Sequence, residues 1–319
     1  MEKRERLELI TIGRSSVDLY GIQVGGRLED MRSFEKYIGG SPTNIAVGAS
    51  RLGLQSAVIT RVGKEHMGRF IKEQLQKEGV NTRGVVTDSE RLTALVILGI
   101  RDQNTFPLIF YREDCADMAL SEADICEEFI SDANCVCVTG THLSNPRVER
   151  ATLKAIHIGR RLGKKTVLDI DYRPYTWESE DKAKQIYNLA AENCCGIIGN
   201  DDEFAVLSGS YEDGLDYAKK LSLDCDLIIY KMGEKGSITY ANNKEIIKGI
   251  FPVKPLKPTG AGDAFMGALI GALLKNYDIE KAIEIGSAAA AIVVTKVGCA
   301  PAMPSLNEIL EFMKTNTIN

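Results

Sequence analysis

Lys257-Pro258-Thr259-Gly260-Ala261-Gly262-Asp263-Ala264-Phe265 is the stretch whose reading decides the fold. Its small residues form a tight turn that runs straight into an apolar run ending near Lys275. The pattern predicts a Gly-rich loop followed by a buried helix. The first amides of such a helix have no partners inside it and point outward. Together with the positive end of the helix dipole they make an anion site, suited to a phosphate or to charge developing in phosphoryl transfer. Asp263 lies inside that nest. An acid there can cap the helix, or it can take a proton from an attacking hydroxyl; the pattern leaves both open. The Lys-Ser/Thr pair that ends a Walker A loop is absent.

Outward from this segment the chain alternates apolar strand, turn and amphipathic helix. Residues 9–12, 57–61, 135–139, 166–170, 196–198 and 227–231 read as strands. Residues 44–52, 67–78, about 147–162 and about 182–192 read as helices. That alternation predicts the α/β class, with a mostly parallel sheet covered by helices on both faces and reactive groups at the carboxyl ends of the strands. Two stretches break the rhythm. Residues 17–38 have few helical features, and residues 92–100 and 106–111 read as strands around a turn at 101–105. They form a small β appendage, either a lid or an ordinary hairpin. A further hairpin is expected at 237–248, turning at Asn242-Asn243.

Composition narrows the classes. The 319 residues are 44% hydrophobic and 26% charged, enough for a large core, and the length allows one large domain or two. Lys plus Arg total 39 against 44 Asp plus Glu, a net charge of −5. This argues against a nucleic-acid partner and against a polybasic membrane anchor. No apolar run reaches the roughly 18 residues a membrane span needs. Residues 1–8 are charged and lack the apolar core of a signal peptide, so a cytoplasmic location is expected. The eight cysteines include no CxxC pair and there are only three histidines; reduced thiols are expected rather than a metal site.

Four other segments carry candidate chemistry. Gly39-Gly40-Ser41-Pro42-Thr43-Asn44 can expose backbone amides to a polyol, with Asn44 binding hydroxyls, or can simply be a capped turn. Asn200-Asp201-Asp202-Glu203 follows a strand. Its oxygens suit Mg²⁺, and equally a helix cap. Lys231-Met232-Gly233-Glu234-Lys235-Gly236 is a glycine turn between strands. Asp169-Ile170-Asp171-Tyr172-Arg173-Pro174 places carboxylates and a guanidinium at another strand end. Arg173, like Arg112 on the β appendage, can bind a carboxylate two-pronged.

In this order the segments resemble the ribokinase-like (PfkB) carbohydrate kinase family over nearly the whole chain. Gly39-Gly40 with Asn44 matches its N-terminal signature, Gly260-Ala261-Gly262-Asp263 its C-terminal one, and Asn200 with Glu203 its Asn-x-x-Glu motif. The resemblance implies one domain over residues 1–319, a three-layer α/β/α fold with a mostly parallel central sheet, and a β-lid from about 17–38 and 92–113. It implies ATP and Mg²⁺ as cofactors and Asp263 as the base. The amides of Gly260, Ala261 and Gly262 would be the anion hole. Asp18, Gly39, Gly40 and Asn44 would bind the sugar. Asn200 and Glu203 would hold Mg²⁺ through water. Lys231, Gly233, Gly236 and Ala289 would border the nucleotide. Homodimers through the lid occur in the family.

The segments around Gly13, Arg112 and Lys257 are most similar to family members acting on keto-deoxy sugar acids at a primary 6-hydroxyl. Arg112 or Arg173 would then pair with the carboxylate. 2-keto-3-deoxygluconate kinase, fructokinase and ribokinase are the alternatives, and a catalytically silent sugar-binding relative is the competing class. A dehydrogenase would need a GxGxxG turn, which Gly13-Arg14-Ser15-Ser16-Val17-Asp18 does not supply. One departure stands out. Many members carry an Asp that helps bind a monovalent cation where this chain has Lys257. Its ammonium either replaces the cation or sits in solvent.

Overall fold

The computed structural model describes residues 6–102 and 105–319. The charged N-terminus (1–8) and the turn expected at 101–105 fall partly outside them. In chain order the strands are β1 (Leu9–Ile12), β2 (Ser16–Gly21), β3 (Phe34–Gly39), β4 (Ser56–Gly63), β5 (Val85–Asp88), β6 (Ala94–Leu98), β7 (Leu108–Tyr111), β8 (Cys135–Thr139), β9 (Lys165–Asp169), β10 (Gly196–Asn200), β11 (Leu227–Lys231), β12 (Ser237–Ala241) and β13 (Lys244–Lys248). The helices are α1 (Ser41–Arg51), α2 (His66–Lys77), α3 (Glu127–Ser131), α4 (Pro146–Arg161), α5 (Glu180–Ala191), α6 (Asp201–Ser208), α7 (Gly214–Leu221), α8 (Ala261–Leu274), α9 (Ile279–Val294) and α10 (Leu306–Thr315).

Nine strands make the main sheet, in the order β13-β12-β11-β10-β9-β8-β1-β4-β5. Every pairing from β11 to β5 is parallel. Only β12 and β13 are antiparallel, joined at Asn242 and Asn243, whose φ values of 52° and 58° suit a tight hairpin turn that Asn tolerates. Alternate residues of a strand feed different cores. Cys135 and Cys137 of β8 join the core under α1, α2, α8 and α9, while Val136 and Val138 join the core under α4, α5 and α6. Strands buried on both faces are apolar throughout, which is why the sequence shows runs rather than alternation. Each fully buried aliphatic side chain, such as Ile10 or Leu269, contributes roughly 1.5–3 kcal/mol. The fold is a three-layer α/β/α sandwich.

α1 begins at Ser41, three residues before the expected start. Pro42 is its second residue, where the absent N–H costs no helical bond. The two stretches that broke the rhythm meet in a second sheet, ordered β3-β2-β6-β7. β2 follows β1 after only residues 13–15, so this sheet rises from the edge where the parallel strands end. All eight cysteines are free; five are buried and Cys126 is exposed. No helix among the described residues is long and apolar enough to cross a membrane.

Candidate active site

A parallel sheet brings the carboxyl ends of its strands to one edge. Here a cavity of about 550 Å³ lies at that edge, walled by the second sheet and by the N-termini of α1 and α8. Asp263, third residue of α8, is half-buried at its floor. Ser41 Oγ donates to its Oδ1 (2.8 Å) and Asn44 Nδ2 to its Oδ2 (2.7 Å). Burial, and then Asp171, push the Asp263 carboxyl above its ordinary range, against the two hydrogen bonds and Arg173. The result is a desolvated, more basic carboxylate. Gly260 precedes the helix with φ 86°, and an added Cβ would lie 2.9 Å from Cys299 Sγ, so the turn requires glycine. Gly260 and Gly262 line the cavity, beside the unbonded first amides of α8.

The second sheet supplies Asp18, Tyr20, Val96, Leu98, Phe110 and Arg112 to the cavity. Ser16 Oγ donates to Asp18 Oδ1 (2.8 Å), yet burial raises the Asp18 carboxyl to about 6. Gly40 (φ 98°) lines the cavity, and Gly39 packs under Asp18, where a Cβ would collide with the carboxylate. The two arginines differ. Arg173 Nη2 is 2.5 Å from Asp171 Oδ1. Asp171 is itself held by Thr141 Oγ1, which donates to its backbone oxygen at 2.7 Å, in a left-handed conformation with φ 40°; such strain gathers at functional sites. Arg112 stacks 3.9 Å from the Phe110 ring centroid, and its buried Nε has no partner. Asn44 Oδ1 and Thr139 Oγ1, also on the cavity wall, are buried and unpartnered too. Orphaned polar atoms are rare inside proteins; with Thr259 Oγ1 there are four around this cavity, which suit a ligand rich in hydroxyl and acidic groups.

The other end of the cavity is acidic and basic at once. Asp169, Asn200, Glu203 and Lys231 line it. Asn200 and Glu203 form a capping box on α6, with Asn200 Oδ1 accepting from Glu203 N (2.8 Å) and Glu203 Oε2 accepting from Asn200 N (2.7 Å). The cap is therefore realised, and both residues still face the cavity. Burial raises Asp169 and Glu203, with Lys231 opposing.

The profile of the pfkB family carbohydrate kinases matches residues 6–306. The chain belongs to the pfkB carbohydrate kinase family. It is 37% identical over 319 residues to the 5-dehydro-2-deoxygluconokinase of Geobacillus kaustophilus (strain HTA426), covering 98% of this chain and 95% of that one. An uncharacterized sugar kinase from Pyrococcus horikoshii, solved in complex with ATP, superposes with a TM-score of 0.82 at 28% identity, covering 96% and 98%. A fructokinase double mutant from Vibrio cholerae O395, in a fructose, ADP and potassium ion bound form, superposes at 0.83 with 25% identity, covering 98% and 100%.

In this carbohydrate kinase some expected residues lie away from the cavity wall. Gly233 and Gly236 (φ 56° and 86°) shape the turn from β11 to β12, Ala289 is buried in the α9 core, and Ala261, though partly exposed, does not line the cavity as its flanking glycines do. Lys257 is fully buried rather than in solvent. Its Nζ donates to Thr259 O (2.5 Å) and lies 4.0 Å from Cys299 Sγ, and burial lowers its pKa. Sequence reading assigned no role to Arg14, Ser41 or Thr139, and offered Asp169 only as one of the carboxylates at a strand end. Their signal was position alone, at the ends of strands or the start of α1.

Proposed function

We propose that the chain transfers the γ-phosphoryl group of ATP to the primary 6-hydroxyl of 5-dehydro-2-deoxy-D-gluconate, in the cytoplasm. The name of the 37%-identical relative supports this sugar acid. The observation that carries it is Arg112, a half-buried side chain on the cavity wall whose Nε is buried without a partner. A neutral sugar would leave that buried Nε without an anionic partner. Arg173, tied to Asp171, is the secondary contact.

Asp263 takes the proton from the 6-hydroxyl as its oxygen attacks the γ-phosphorus in line. The amides of Gly260, Ala261 and Gly262 hold the charge that develops on the equatorial oxygens. Asp18, the Gly39-Gly40 turn and the free Oδ1 of Asn44 bind sugar hydroxyls, while Lys231 and the turn holding Gly233 and Gly236 belong to the nucleotide side, with Ala289 in the core behind it. Glu203 and Asn200, with Asp169 beside them, offer the hard oxygen donors Mg²⁺ prefers. Among the described residues no three ligating side chains are assembled to hold a metal by themselves, which fits an ion held by one or two carboxylates, waters and phosphates. Bound there, it would neutralise phosphate charge.

The second sheet acts as a lid that excludes water from the reaction. Its outer face exposes Phe34, Ile109 and Tyr111 and is the surface for a homodimer, tested by sedimentation against concentration. Lys257 holds the loop before α8 as a built-in cation, in place of K⁺.

The test is an ADP-release assay across keto-deoxy sugar acids and neutral sugars. The acids should lead. Fructose or ribose outperforming every acid would overturn the substrate, and no ADP with any sugar would point to the silent binding relative.

A further inference from the structure

The N-termini of α1 and α8 meet at one point, where Ser41, the first residue of α1, hydrogen-bonds Asp263, the third of α8. The partners are 222 residues apart in sequence. We infer that Ser41 is a positioning residue for phosphoryl transfer, fixing the rotamer and the proton affinity of Asp263 through its Oγ–H···Oδ1 bond. The inference rests on Asp263 being the base.

Asn44 alone would leave the carboxylate free to pivot about one hydrogen bond. With Ser41 on the other oxygen, both Oδ atoms are held by donors rooted in the first turn of one helix. That turn is itself rigid. Pro42 locks the backbone beside Ser41, and Thr11 Oγ1 donates to Pro42 O (2.8 Å), tying it to the central strand β1. Each Oδ keeps a second lone pair, so a substrate hydroxyl can still donate to the base. Ser41 lies on the cavity wall, and its hydroxyl helps settle the charge of Asp263 before the sugar arrives.

Other charges also face Asp263. They are Asp18 on β2, Asp169 at the end of β9, Asp171 just after it, Arg173, Lys257 and the thiols of Cys137 and Cys299. All of these stay in place when only Ser41 changes. The carboxyl is already raised by burial, and Ser41 opposes that rise. Removing its donor therefore moves protonation to higher pH. A base must be ionised, so the acidic limb of the rate profile moves the same way.

The experiment compares Ser41→Ala, Ser41→Thr and Asp263→Asn in steady-state kinetics from pH 5 to 9. Ser41→Ala should lower kcat about tenfold, leave the KM for ATP within about twofold, and raise the acidic limb of kcat by about one pH unit, the scale of one lost charge-assisted hydrogen bond. Ser41→Thr, which keeps the hydroxyl, should restore the wild-type limb. A merely structural role in starting α1 would lower the melting temperature without moving the limb. An unmoved limb in Ser41→Ala, with Asp263→Asn inactive, overturns the inference alone. Near-normal turnover in Asp263→Asn overturns the base assignment beneath it.

Discussion

Arg112→Met separates recognition of a carboxylate from everything else the cavity does. The substitution keeps a long apolar stem against Phe110 but removes the guanidinium whose Nε is unpartnered. The fixed acids nearby are not full substitutes for a substrate. Asp117 is already bonded to Arg14 (2.7 Å), and Asp18 is bonded to Ser16. A hydrogen bond to a charged group contributes about 1.5–3 kcal/mol. Taking about 3 kcal/mol for a two-pronged contact in a desolvated wall predicts a loss of about 10²-fold in kcat/KM for the sugar acid. The alcohol analogue, with the carboxylate reduced, should change by less than about threefold. Loss of the stacking on Phe110, roughly 0.5–1 kcal/mol, affects both substrates alike and appears in the melting temperature. The assay is coupled ADP release with both substrates on both proteins. Equal losses for acid and alcohol, or an unchanged kcat/KM for the acid, would refute the reasoning.

Asp263→Asn should lower turnover by at least about 10²-fold while calorimetric binding of a non-hydrolysable ATP analogue is preserved; near-normal turnover would remove Asp263 from the base role. With Lys257 buried and bonded to Thr259 O, activity should be flat in K⁺ at constant ionic strength, and a several-fold rise with K⁺ would contradict the built-in cation. His142 is fully buried, with Nε2 2.9 Å from Asp117 O, and burial lowers its pKa to about 4. The unfolded chain, with an ordinary histidine near 6.5, therefore takes up the proton first as pH falls. The stability contribution is complete above about 6.5 and is lost towards pH 4, by about 3 kcal/mol in all. Urea melts should show this slope in the wild type and a shallower one in His142→Asn; parallel slopes would exclude His142 as its source.

Much of the fold was legible because its determinants are local. β8, β9 and β11 are short apolar runs flanked by polar turns, and the helices carry one apolar stripe, so alternation alone identified the sandwich. The 260–263 turn was legible because glycine is the residue that takes φ 86° against Cys299. The start of α1 lies three residues before the expected one because Ser41 to Thr43, expected as part of a turn, form the helix's first turn with Pro42 inside it.

The candidate site was legible as a set of segments and not as a set of contacts. Arg112 and Arg173 look alike in sequence; only packing shows that Asp171 already occupies one of them. Asn200 and Glu203 offered two readings, and the structure contains the cap while leaving both residues on the cavity wall. Gly233, Gly236 and Ala289 sit in promising segments but away from that wall.

By itself the sequence determined the strand–helix rhythm, the Gly-rich turn into α8 and the presence of an acid within it, since backbone sterics and hydrophobic periodicity act over a few residues. Tertiary structure alone decided that Ser41 and Asn44 hold that acid across more than 200 residues and that Lys257 is buried rather than solvated. It also decided which arginine keeps an unpartnered nitrogen. Burial and hydrogen-bond partners depend on what the distant chain packs against each side chain, and those are the quantities that set the proton affinity of a carboxylate near a phosphate-sized turn.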